Sequence, residues 1–356
     1  MLLRWNQPCG SERKVGDGGA RSRATMRDVA ALAGVSLKTV SRVVNREAGV
    51  SDELISRVER AAEQLDYRPN LTASNLRRAD QRTSTIGLLV EDVANPFFAD
   101  LHRGVEDVAR RHGVAVMAAS LDRAPESERD LVAAFASRRV DGLILCPTAS
   151  EQGYLTRELR SGWPIVCVDR LPRGVAVDVV LTNNREATRE GVAHLLNHGH
   201  RQVAYLGGDS RLSTAHERYD GFLDAMMASG VSVRPELVAF DALTAEDAQE
   251  LVRGFLALDE PPTAIFSAQN LITMGTFRAL REVGLHRKVA LVGFDDFLFA
   301  DLLEPAVTVV AQDPRGMGNL AAEILFQRMA DSHEPVATRI IPSRVITRGS
   351  GEIRPA

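Results

Sequence analysis

The chain has 356 residues, 45% of them hydrophobic and 25% charged, with a formal net charge of −4. That length exceeds one ordinary core and predicts two or three domains of a globular protein. No apolar run approaches the roughly 18 residues of a membrane span, so no transmembrane helix is expected.

Arg4, Arg13, Lys14, Arg21 and Arg23 lie in the first 24 residues without an apolar run beside them, so no secretory signal is expected. Cys9, Cys146 and Cys167 lack metal or redox spacing, and the last two sit in apolar runs. They read as buried thiols of a reducing compartment, and the protein as cytoplasmic. Charge is unevenly spread. Residues 21–82 hold 12 Arg and Lys against 8 Asp and Glu, whereas residues 83–356 carry a balance of −9. A basic front on an acidic body suggests that the front meets a polyanion.

Thr25 before "MRDVAALAG" has the form of an N-cap, with Asp28 as the third residue of a capping box. Gly34 suits a left-handed helix end, and Ser36 is a second N-cap. Two short helices joined by three or four residues make a helix-turn-helix. Ser51 precedes a third helix, "DELISRVERAAEQL", whose Leu54, Val58 and Leu65 are expected to pack on it. On the second helix Val40, Val43 and Val44 share one face. Leu37, Lys38, Ser41, Arg42 and Asn45 share the other. That face is either solvated or a recognition surface for the DNA major groove. Arg42 and Lys38 suit guanine, Leu37 suits a thymine methyl, and Thr39 or Ser41 suits phosphate.

In "YRPNLTASNLRR", Pro69 interrupts any helix and Asn70 can start a short one. That segment is either a linker or a minor-groove element with Leu76 as an apolar wedge.

Beyond it, short apolar runs alternate with amphipathic stretches. "TIGLLV", "VAVMAAS", "VDGLILC" and "PIVCVD" read as buried parallel strands, and the alternation resumes after "DVVLTNN" with "QVAYLGG", "TAIFSA" and "VALVGFDD" as strands. The stretches between them, such as "FFADLHRGVEDVARRHG" and "TAHERYDGFLDAMMASG", read as helices. Two α/β halves follow, each a doubly wound parallel sheet. Ligands bind beyond the carboxyl ends of such strands, here in the cleft between halves. The residues at those ends are Asp92, Asn95, Phe97, Phe98, Thr148, Asp169, Arg170, Asn183, Arg218, Gln269, Asn270 and Asp295. Carboxylates, amides and arginine beside aromatic rings suit a polyhydroxylated ligand. Asn183 or Asn184, and Asn270, can equally be helix caps.

The runs "TMRDVAALAGVSLKTVSRVVN", "VSDELISRVERAAEQLDYRPN" and "ASNLRR", in this order, resemble the lactose-repressor (LacI/GalR) family of bacterial transcription regulators. The resemblance extends over residues 25 to about 350. It implies a helix-turn-helix headpiece (25–70), a hinge helix (71–83) and a core of two subdomains (84–356), similar to periplasmic sugar-binding proteins. The chain is expected to cross between subdomains near 182, 312 and 342. Residues 1–24 lie outside it, as a disordered arm or a start placed upstream of Met26. It implies that Leu37, Lys38 and Arg42 read bases and that Ala73 and Leu76 enter the minor groove. Thr25, Ser36, Thr39, Ser41, Asn45 and Asn70 complete the DNA-facing set. Arg218 in "HERYDG" matches the effector-gripping arginine and Asp295 in "GFDD" its acidic partner. Gln269-Asn270 departs from the frequent Asn-Asp, removing a carboxylate near the cleft.

His194, His198 and His200 read as a helix end and turn rather than a metal site, and no cofactor is expected. There is no phosphate loop, nucleophile elbow or dinucleotide fingerprint, so no enzyme is expected. The resemblance implies a homodimeric repressor of a carbohydrate operon, bound to pseudo-palindromic operator DNA and released by a sugar. Alternatives are a regulator responding to a purine, nucleoside or sugar phosphate, with the ligand as corepressor, or a sugar-binding receptor without a DNA role.

Overall fold

The computed structural model describes residues 24–44, 49–67, 83–122, 124–330 and 334–355. Asn45, Asn70, Ala73 and Leu76 lie outside them, with most of the expected hinge. The chain divides into two units, Met1–Gln81 and Arg82–Ala356.

The first unit holds α1 (Met26–Ala33), α2 (Leu37–Val44) and α3 (Asp52–Gln64). Thr25 opens α1 with both halves of a capping box. The Thr25 amide donates to Asp28 Oδ2 at 2.7 Å, and the Asp28 amide donates to Thr25 Oγ1 at 3.4 Å. Two backbone donors that the helix leaves orphaned are thereby satisfied. The helix ends at Gly34, φ +61°, a conformation that disfavours a Cβ. Arg57 of α3 donates to the Ala33 carbonyl at 2.7 Å, setting a cation at the negative helix end. The Thr39 amide donates to Ser36 Oγ at 3.1 Å, which starts α2. Ser51 stands at the same place before α3, but its side chain makes no capping bond. Val29, Val40 and Val58, one from each helix, are at most 1% exposed. Burying each stabilises the bundle by about 1.5–3 kcal/mol. Leu54 is only half-buried and lies outside this cluster.

The second unit contains two six-stranded sheets. The first has the order β11-β5-β4-β3-β1-β2, with β1 (Thr85–Val90), β2 (Ala115–Ser120), β3 (Leu143–Leu145), β4 (Ile165–Val168), β5 (Asp178–Thr182) and β11 (Thr338–Ile341). The second has the order β12-β10-β9-β8-β6-β7, with β6 (Val203–Leu206), β7 (Val238–Ala239), β8 (Ala264–Ser267), β9 (Ala290–Phe294), β10 (Thr308–Ala311) and β12 (Arg344–Ile346). The two orders are the same pattern repeated. β2, expected as a buried strand, is an edge strand with no fully buried residue. β12 departs from the all-parallel expectation by running antiparallel to β10. The other strands end at the cleft. β12 enters its sheet from the cleft, two residues after β11, and so must run away from it.

Helices cover both faces. α4 (Pro96–Arg111) and α11 (Pro314–Met329) lie on one side of the first sheet, and α5 (Pro125–Ser137) and α6 (Thr156–Arg160) on the other. In the second lobe α7 (Asn184–Asn197) and α8 (Ser213–Ala228) oppose α9 (Ala245–Leu256) and α10 (Asn270–Glu282). The chain changes lobes three times. α7 follows β5 but packs on the second sheet, α11 follows β10 but packs on the first, and β12 follows β11. α4 and α11 touch backbone to backbone. A Cβ on Gly104 would overlap the Arg315 carbonyl oxygen, and one on Gly318 that of Leu101, so only glycine permits this approach.

Candidate functional site

The repeat of the lobes is sharpest at two aspartates. Asp169 follows β4 and Asp295 follows β9, the equivalent strand. Both have φ +69°, a left-handed conformation that aspartate tolerates better than most residues. The Asp169 amide donates to Val180 O and the Asp295 amide to Val310 O, each at 2.9 Å. Their side chains are thus turned out of the ladder and into the cleft, where they are 5% and 6% exposed. Burial pushes both carboxyls above the usual range, opposed at Asp169 by Arg170 and Arg218 and at Asp295 by Arg218 and Gln312.

Arg218 comes from α8, one face of which is buried. Its Nε donates to Asn184 Oδ1 at 2.8 Å and its Nη1 to the Ala268 carbonyl at 2.7 Å. Its guanidinium carbon lies 3.8 Å from the centre of the Phe294 ring, a cation–π contact. The arginine is therefore held on three sides before any ligand arrives. Arg170 is the corresponding cation of the first lobe. It donates to Glu91 Oε2 and, at 3.2 Å, to the Pro147 carbonyl. Asn95 and Asn270 join the lobes directly through side-chain bonds of 2.9 and 3.2 Å.

Between the lobes lies a cavity of about 50 Å³, room for a few ordered waters. It continues into hollows of about 260 and 490 Å³, which share Arg170 and Leu212 on one side and Glu91 and Leu243 on the other. A monosaccharide needs the cleft to widen. Asn95, Phe97, Phe98, Asp169, Arg170, Arg218, Gln269 and Asp295 line the inner cavity together. Phe97 and Phe98 meet edge to face, with centroids 5.0 Å apart. Asn95 also caps α4 by accepting from the Phe97 amide.

Three expected residues are placed otherwise. Asp92 accepts from the Ala94 amide at 2.9 Å and faces the larger outer hollow. Thr148 lines the smaller one and is tied to Glu128 through its amide and hydroxyl. Asn270 is spent on Asn95 and the Leu271 amide. Beside these, the cap candidate Asn183 is occupied by the Ser343 amide at the lobe crossing. Asp296 turns away from Asp295 and pairs with Arg348 at 2.7 Å.

Sequence reasoning missed Glu91, Asp209, Gln312, Asn184 and Phe294. Glu91 directly follows the apolar run of β1, one residue before Asp92. Gln312 is the more informative. Its Nε2 donates to Asp295 at 2.6 Å, while its Oε1 is a buried acceptor without a partner, which suits a donor hydroxyl. Among the described residues, no group of three metal-ligating side chains gathers in this cleft.

The raised Asp295 gives a test. A carboxyl whose folded pKa exceeds its unfolded value destabilises the fold as pH rises through the window above about 3.9. Asparagine tolerates the same backbone, keeps an acceptor for Gln312 and carries no charge. Asp295→Asn is expected to raise the unfolding midpoint at pH 7 and to weaken ligand binding, and the midpoint difference should vanish as pH falls to the carboxylate range. A lower midpoint at pH 7 would contradict the burial effect.

In the first unit, the outward face of α2 carries Leu37, 42% exposed, and the exposed Lys38. Ser41 and Arg42 are half-buried. Thr39 shares its hydroxyl with Ser36 at 2.9 Å, so both serve the helix start. Thr25 is occupied by its capping box.

Residues 25–70 match "Bacterial regulatory proteins, lacI family", and residues 83–348 match "Periplasmic binding proteins and sugar binding domain of LacI family". The chain is 31% identical over 329 residues to the HTH-type transcriptional repressor PurR of Photobacterium profundum, covering 91% of this chain and 98% of that protein. A structure of the transcriptional regulator CelR–cellobiose complex is 30% identical, with a TM-score of 0.68 over 92% of this chain and all of that one. The Lac repressor dimer bound to operator and the anti-inducer ONPF shares the fold, with a TM-score of 0.80, 24% identity and coverage of 93% and 99%.

Proposed function

The chain belongs to the LacI family of bacterial regulatory proteins, and from that premise we propose a homodimeric repressor whose cleft binds a small neutral sugar and thereby releases operator DNA. It acts by binding rather than by catalysis, and in the cytoplasm. The proposal rests most on the balance of groups in the cleft. With Asp209 paired to Arg211 at 2.6 Å, Glu91, Asp169 and Asp295 face Arg170 and Arg218 in the inner cavity. An excess of carboxylates disfavours a phosphorylated or acidic ligand. Hydroxyls donate to such acceptors, and a sugar ring packs on Phe97 and Phe98. The CelR structure holds cellobiose, which agrees with this chemistry.

Mechanism follows from the narrow inner cavity, which admits a sugar only when the lobes rearrange. Ligand has to bind one arrangement of the lobes better than another, since it shifts the equilibrium only by that difference. The headpiece then senses the change in lobe arrangement through the expected hinge at 71–83. Leu298 and Leu302, 73% and 71% exposed, supply apolar surface for the second protomer.

Calorimetry with neutral pentoses, hexoses and cellobiose, each beside its phosphate, tests the ligand class. At least one neutral sugar should bind more tightly than its phosphate. Preference for the phosphates, or for nucleosides alone, would replace the sugar reading. Base reading is tested with DNA selected from a random pool by the full-length protein. Lys38→Ala should lose about 1–3 kcal/mol on the selected palindrome and much less on random DNA. Equal losses on both would make Lys38 a phosphate contact.

A further inference from the structure

The far end of α7 carries a cluster that the cleft does not use. His194 and His198 lie one turn apart, and their ring centres are 4.5 Å from one another. Glu352, in the short turn at Gly349–Glu352, presents one oxygen to each. His194 Nε2 is 3.2 Å from Oε1, and His198 Nε2 is 3.0 Å from Oε2. The three donor groups all lie within 4.8 Å of one another. In a tetrahedral centre with bonds of about 2.0–2.2 Å, neighbouring donors stand about 3.3 Å apart, close to both measured edges.

The second nitrogen of His198 sharpens the reading. Its Nδ1 lies 2.8 Å from the His194 carbonyl oxygen, which only accepts, so Nδ1 carries the hydrogen. In the neutral ring Nε2 then holds a lone pair. It faces a carboxylate oxygen at 3.0 Å, a contact that a cation on Nε2, proton or metal, makes favourable. A backbone carbonyl that orients the imidazole in this way is the usual outer support of a metal-bound histidine. His194 Nε2 is buried and makes no hydrogen bond. Two imidazole nitrogens and one carboxylate converge within 4.8 Å of one another, and a cation placed among them is shared by all three.

We propose that His194, His198 and Glu352 form a binding site for a divalent transition metal of the zinc type, with water completing the tetrahedron. Two imidazoles and one carboxylate suit zinc and its neighbours, not calcium or magnesium, which prefer oxygen. Glu352 is half exposed, which opens a path from solvent. The bound metal staples the segment around Glu352 to α7, whose first residue, Asn184, holds Arg218 at the other end. The sequence displays the histidine pair but not the carboxylate, which lies 154 residues beyond His198.

The test uses the full-length protein, stripped with a chelator and titrated with Co²⁺ alone, whose visible absorption reports tetrahedral coordination. One equivalent should bind saturably and be displaced by Zn²⁺. Glu352→Gln and His198→Gln should each weaken it more than about tenfold, with the circular dichroism spectrum and DNA binding unchanged. His102→Gln, on another helix, should match the wild type. Absence of saturable binding overturns the site. So does a Glu352→Gln protein that binds as the wild type does, and a His102→Gln protein weakened to the same degree.

Discussion

Arg218→Met is expected to weaken sugar binding by about 30-fold to several thousand-fold and to leave operator affinity nearly unchanged. The range follows from the roughly 2–5 kcal/mol lost when one member of a buried charged contact is truncated. Methionine fills much of the same volume over Phe294, so collapse of the cleft does not explain the loss. What disappears is the donor pair to Asn184 and Ala268, and the one cation that opposes both Asp169 and Asp295. Those carboxyls should then rise further above their already raised range. Binding that depends on ionised carboxylates strengthens with pH as they titrate, and in the variant this rise should move to higher pH. Calorimetry across pH 4–9 with the sugar found for the wild type reads both effects. An unchanged affinity would remove Arg218 from the ligand site. An unchanged pH profile would remove its role over the two aspartates.

Glu128→Ala should be the most destabilising single change in the first lobe, by about 3 kcal/mol or more. Glu128 is fully buried. Its carboxylate accepts from the Thr148 amide at 2.5 Å, the Thr148 hydroxyl at 3.0 Å and the Ala149 amide at 2.8 Å. It also accepts from Gln152 at 3.2 Å and from the Tyr154 hydroxyl at 2.6 Å. Bonds to a charged acceptor contribute about 1.5–3 kcal/mol each, and here several donors would be orphaned at once. At about 2–4 °C per kcal/mol for a unit of this size, the unfolding midpoint should fall by about 6–12 °C. Glu128→Gln separates shape from charge, because its amide group would face donors. It too should lower the midpoint, and a glutamine variant as stable as the wild type would show that the loop does not need an anion. The same bonds explain Thr148, which holds the wall of the outer hollow in place.

The elements that sequence revealed are those whose signals are local. Thr25, Asp28, Gly34 and Ser36 act within four residues of themselves, so the start and end of α1 and the start of α2 were visible. Asp169 and Asp295 were visible because each directly ends a strongly apolar strand. Glu91 was not, although "TIGLLV" ends the strand correctly at Val90, because Asp92 was chosen one residue beyond its immediate successor. Phe294 reads as strand core, and its ring is indeed in the core, with Arg218 on its face. Asn184 supports Arg218 across 34 residues, and no local pattern records that. β7, β10, β11 and β12 were not read: "VA", "TVVA", "TRII" and "RVI" are short runs, and three of them are edge strands whose pairing is entirely non-local.

The crossing helices also order events during synthesis. The second sheet, apart from its β12 edge, is laid down in one unbroken stretch ending at Ala311. The first sheet is nearly complete by Thr182, yet α11, which covers much of one face, does not end until Met329. While the ribosome makes the intervening residues, that face waits with Leu101, Val105 and Val108 of α4 as its main cover. That face of the lobe made first therefore waits for a helix made after the second sheet's parallel strands, and its exposed apolar surface is the stage at which a nascent chain most needs shielding from its neighbours.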